Sequence, residues 1–179
     1  MIQPSNATIQ HDFDQYVNRA TILIHSPQSR KQVLAMLLAG SDPVQRVSDA
    51  TVMIMHRLDS TARDAGIEVQ DAVKVMGAHA IVGLIVEFGN AAKIFNLNDD
   101  LSELSLSVAV QDYVRSEVKA GRVDPQKLKV AFDADLRSMP PKFRKEAQLA
   151  QQRIPMIARQ YNHGKGLASF TTQKQVPEN

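Results

Sequence analysis

His56 and Asp59 stand three residues apart, so on a helix an imidazole and a carboxylate would share one face as two metal ligands do. No third ligand lies close in sequence, and an exposed helix pair is the expected role. His79 and Glu87 are the polar residues of the most apolar stretch, eight residues or about two helical turns apart. They are expected as buried polar groups that fix register between helices, with proton handling as their chemical alternative. Asn98-Asp99-Asp100 with Glu103 gathers oxygen ligands, but the calcium-loop spacing D-x-[DN]-x-[DN]-G is absent. Asn98 or Asp99 as the cap of a following helix accounts for that cluster. Gly164-Lys165-Gly166 lacks the G-x-x-x-x-G-K-[ST] frame of a phosphate loop. There is no G-x-S-x-G elbow, no H-E-x-x-H and no Cys, which removes thiolate metal sites, Cys nucleophiles and disulfides together. No catalytic residue, metal ligand or cofactor is assigned. An enzyme is not expected.

The elements that would carry these residues read as helices. Ser26-Pro27, Asp42-Pro43 and Asp124-Pro125 each place a capping side chain before a proline at the first helical position. Gly40, Gly66 and the pair Pro140-Pro141 are placed to end the segments that follow. Phe13, Val17, Ala20 and Ile24 make one apolar stripe, and Val44, Val47, Thr51, Ile54, Met55, Leu58 and Ala62 a longer one. After Gly66 a third stripe runs through Val69, Val73, Met76, Ala80, Leu84, Phe88 and Ala91, continued around the helix by Val75, Ile81, Val82, Ile85 and Val86. A helix apolar on nearly all sides must be surrounded by neighbours. Gly77, Ala80, Gly83, Leu84, Phe88 and Gly89 are the candidate contacts between helices or between subunits. A membrane span is not expected, because Glu87, Asn90 and Lys93 interrupt the run within two turns. Glu103 to Gln111 alternates polar and apolar residues as a strand would, yet a helix from about Leu101 to Ala120 is the expectation, since a lone strand lacks a partner.

Of 179 residues, 44% are apolar and 22% charged, with a net charge of +2. That average conceals a polarity. Lys142, Arg144, Lys145, Arg153, Arg159, Lys165 and Lys174 face only Glu146 and Glu178 in residues 140–179, giving +5, while residues 1–139 sum to −3. The expected organisation is a helical body, 1–139, with a core hairpin at about 43–95, and a basic, poorly structured arm, 140–179. The arm's aromatics Phe143, Tyr161 and Phe170 would suit it to an acidic neighbouring surface or to a phosphate backbone. Met1 to Gln15 shows no basic cluster followed by an apolar run, so no secretory signal is expected.

The segment VSDATVMIMHRLDSTARDAGIEVQDAVKVMGAHAIVGLIVEFGNAAKIF (Val47 to Phe95) resembles a group of small virion structural proteins of tailed bacteriophages. They share an amphipathic helix, a short G-I-x-[VI] link and a Gly/Ala-rich apolar helix ending before an acidic loop. The resemblance spans about 50 residues and carries no catalytic motif. It implies an all-α protein of the virion, either near the portal and tail or internal and ejected with the genome. Its expected partners are further copies of itself and other virion proteins such as portal or tail components. The alternative class is a soluble helical regulator that contacts DNA or other nucleic acid through the basic arm.

Overall fold

Side-chain caps open three of the helices. In the computed structural model, which describes residues 6–124 and 126, five helices follow one another: α1 (Asn6–His25), α2 (Pro27–Leu38), α3 (Pro43–Asp64), α4 (Asp71–Ala91) and α5 (Asp99–Lys119). The Ser26 hydroxyl accepts the Ser29 N–H at the start of α2. One Asp42 carboxylate oxygen accepts from Val44 at 2.9 Å and Gln45 at 3.2 Å at the start of α3. Asn98 accepts from Leu101 at 3.0 Å, opening α5. Each supplies an acceptor to N–H groups that have no partner inside the helix. Asp124 likewise accepts from Gln126 at 2.9 Å; the segment it would open, Pro140-Pro141 and the whole arm 140–179 lie outside the described residues. At the other ends, Gly40 and Gly66 adopt φ of +77° and +70°, a left-handed turn that a side chain would strain.

The chain is helical among its described residues and has no strand there. Leu104, Leu106, Val108 and Val110, which alternate as a strand would, all lie within α5. The acidic first turn Asp99-Asp100 suits the positive end of that helix.

The chain divides into a unit up to Tyr113 and a second from Val114. In the first, α1 packs chiefly on α4, α4 on α3, and α3 on α2. Arg57 reaches Ser29 and Gln32, and Arg46 reaches the Leu37 carbonyl, so α2 and α3 run antiparallel. The Ser48 hydroxyl lies 2.8 Å from the Val44 and Ser105 carbonyls, and Tyr113 bonds Asp59, so α5 runs parallel to α3. Ile24, Val33, Leu37, Val47, Ile54, Met55, Val73, Ile81 and Ile85 are fully buried among these helices. The stripe of α3 is buried as expected. That of α1 is shifted: Tyr16, Ala20 and Ile24 face inward, while Phe13 and Val17 are half-buried.

In the second unit, Glu117 is buried and its two carboxylate oxygens take the Arg122 guanidinium at 2.8 and 2.7 Å. Gly121, at φ +69°, turns the chain so that the arginine can return.

Candidate functional site

Helix α4 is apolar almost all round, and packing covers one side of it. Val73, Gly77, Ala78, Ile81, Val82, Ile85, Val86 and Gly89 face inward. Val75 is 58% exposed and Met76 42%; His79, Gly83, Glu87 and Ala91 are also exposed, while Ala80, Leu84 and Phe88 are half-buried. The stripe drawn through Met76, Ala80, Leu84 and Phe88 therefore runs along the margin of the packed face. His79 and Glu87, eight residues and so about 80° apart around the helix, mark its outer side.

The three glycines of this helix differ. A Cβ on Gly77 would stand 2.4 Å from a ring carbon of Tyr16, and one on Gly89 would collide with the ring of Phe95. Both absences of side chain are filled from within the chain, so these glycines seat aromatic rings. Gly77 receives a ring from α1, and Gly89 one from the loop after α4. At Gly83 nothing lies within 4 Å of such a Cβ. This glycine faces out.

His79 and Glu87, expected to be buried, are exposed. His79 is two residues from both Gly77 and Ile81, and Glu87 two from both Ile85 and Gly89. At about 100° per residue, two steps carry a side chain to the opposite side of the helix. Neither has a hydrogen bond or ion pair with another described residue.

The buried acid of this unit is Asp59, 2% exposed. Tyr113 donates its hydroxyl to one carboxylate oxygen, and the other has no partner among the described residues. The His56 ring lies 5.1 Å from that of Tyr113, tilted by 37°. The exposed His56–Asp59 pair is thus corrected on its acid member: Asp59 continues the line Thr51–Met55, which the core covers. That spacing was the signal in the sequence. Tyr16, 5% exposed, places its ring on Gly77, and its hydroxyl has no described hydrogen-bond partner. Burial first, and the Asp59 carboxylate second, push the Tyr16 phenol far above its ordinary range.

A cleft of about 90 Å³ opens between α1 and the α3–α4 link, lined by Asp12, Tyr16, Arg19, Leu58, Ala62 and Gln70 among others. Pockets for small organic ligands run to roughly 300–1,000 Å³. Among the described residues, no three His, Asp or Glu gather to hold a metal.

No family model, curated protein or solved structure matches this chain. Val73–Ala91 is long and apolar enough to cross a membrane, and 44% of that window is buried inside the protein. The uncovered part carries His79 and Glu87. Among the candidate residues, α4 brings Gly83, His79 and Glu87 together on one outer face, with Ala80 at its edge; Gly77 and Gly89 belong to the inner one. The arm residues Lys142, Arg144, Lys145, Arg153, Arg159, Lys165 and Lys174 lie outside the described residues.

Proposed function

We propose that this protein is a non-enzymatic helical subunit that assembles with copies of itself through the outer face of α4, as a structural component of a tailed-phage particle. The single observation behind this reading is that the most apolar helix of the chain is covered on one side only, leaving Val75 and Met76 58% and 42% exposed. Exposed apolar side chains on a helix face gain by removal from water, at about 25 cal/mol per Å². Protein fits that face better than lipid, because His79 and Glu87 lie on it and a carboxylate in hydrocarbon costs several kcal/mol. The virion setting follows from the resemblance of Val47 to Phe95 to small phage structural proteins, at the portal and tail or among internal proteins ejected with the genome.

Light scattering of the full chain over a hundredfold range of concentration tests the assembly. A mass above that of one chain is expected, reverting to one chain in a Val75→Glu/Met76→Glu variant. A wild-type mass of 19.8 kDa at every concentration overturns the reading. Mass spectrometry of purified particles of the source phage tests the setting; a chain made in infected cells but missing from particles refutes it.

A further inference from the structure

We propose that α4 pairs with α4 of a second copy in antiparallel register about a two-fold axis at Gly83, so that His79 of each copy meets Glu87 of the other. This rests on the self-assembly reading above and specifies its geometry.

The outer face sets the terms. Val75, Met76, His79, Gly83, Glu87 and Ala91 are all exposed on one helix. His79 precedes Gly83 by four residues and Glu87 follows it by four. At about 1.5 Å and 100° per residue, each lies about 6 Å along the helix from Gly83 and about 40° to either side of it. A two-fold axis that reverses one helix against the other carries position 79 of one copy to the height of position 87 in its mate. The same operation brings Val75 to the height of Ala91 in the mate, each about 80° from Gly83 and so at the flanks of the contact. A two-fold contact is isologous, so each pairing occurs twice.

Charge decides between the two helix directions. In a parallel in-register pair, imidazole would face imidazole and carboxylate would face carboxylate. In the antiparallel pair an imidazole N–H donates to a carboxylate at both ends, which the neutral and charged rings can both do. Both groups are without partners among the described residues, so the pairing breaks no contact there. The two polar pairs fix direction and register.

Gly83 gains an explanation from the same geometry. The folds around Gly77 and Gly89 account for those glycines, whereas the space at Gly83 is open and its backbone is ordinary helix. A glycine in a helix interior is unfavourable by about 1 kcal/mol relative to Ala. At the crossing point it lets two helix axes approach to the short end of the usual 8–10 Å range.

Cross-linking tests the register, because the chain has no cysteine of its own. His79→Cys and Glu87→Cys are made separately in the full chain, both at exposed positions, and folding is checked by circular dichroism. Positions 79 in two antiparallel copies stand about 12 Å apart along the axis, beyond the roughly 7 Å between Cα atoms that a disulfide can span. Oxidation of either variant alone is therefore expected to leave single chains on a denaturing gel, while an equimolar mixture gives a covalent dimer. A covalent dimer from His79→Cys alone overturns the antiparallel register. So does the lack of any cross-link while light scattering still reports assembly, and in that case the self-assembly reading survives. A wild-type chain that is monomeric throughout removes both. As a second arm, His79→Glu is expected to weaken association about tenfold or more by creating two like-charged contacts. Exchanging the two residues, His79→Glu/Glu87→His, restores it to within about threefold. Association unchanged by the single substitution counts against the proposal.

Discussion

Gly77 and Gly83 occupy the interior of one helix, so replacing either with Ala brings the same gain in intrinsic helix preference, about 1 kcal/mol. The surroundings differ. At Gly77 the new Cβ would stand 2.4 and 2.5 Å from two ring carbons of Tyr16, well inside ordinary van der Waals contact. Tyr16 is 5% exposed, so its ring cannot swing aside without opening the core between α1 and α4. Overpacking of this kind costs about 1–3 kcal/mol. At Gly83 nothing lies within 4 Å. Gly83→Ala should thus stabilise the folded subunit by about 0.5–1 kcal/mol, and Gly77→Ala should fall between neutral and about 2 kcal/mol destabilising. The preference term cancels in the comparison, leaving a difference of about 1–3 kcal/mol that is steric in origin. Urea unfolding followed by circular dichroism measures it, at a concentration low enough that doubling it leaves the midpoint unchanged. Equal stabilities for the two variants would refute the seating of Tyr16 on Gly77. A further control is Tyr16→Leu, in which the Gly77→Ala penalty should vanish; coupling near zero in that double-mutant cycle refutes the same contact.

Tyr113 supplies the only described hydrogen bond to the buried Asp59 carboxylate, so Tyr113→Phe should destabilise by about 1.5–3 kcal/mol, and a loss below 0.5 kcal/mol in urea unfolding contradicts that. Tyr16 has its phenol raised by burial and by Asp59, so the folded state holds that proton more tightly than the unfolded state. Its contribution is complete below the unfolded value of about 10 and declines as pH rises beyond it, by up to about 1.4 kcal/mol per pH unit. Tyr16→Phe should therefore resist alkaline unfolding better than wild type, and parallel stability curves from pH 9 to 11 would refute this. Asp42 accepts two N–H groups at the start of α3; Asp42→Ala should cost about 1 kcal/mol, read as a lower thermal midpoint, while Asp42→Ser should recover most of it.

Local chemistry made the helices legible in the chain itself. Cap, proline and terminating glycine act within one or two turns, and the N–H groups they satisfy belong to their own segment. Ser26, Asp42, Asn98, Gly40, Gly66 and Gly121 could therefore be placed, or understood once seen, without reference to any distant residue. The amphipathic stripe of α3 was readable for the same reason: its polar side declares which side is buried. Packing decided the rest. In α4 Tyr16 lies against Gly77 and Phe95 against Gly89, partners that come from outside the helix and that its own spacing does not name. Asp59 lies on the buried line of α3, but its partner Tyr113 comes from α5, 54 positions away, and His79 and Glu87 were left outside because each falls two residues from the packed line. A segment can encode its own hydrogen bonds. The direction it faces is set by neighbours that meet only in three dimensions.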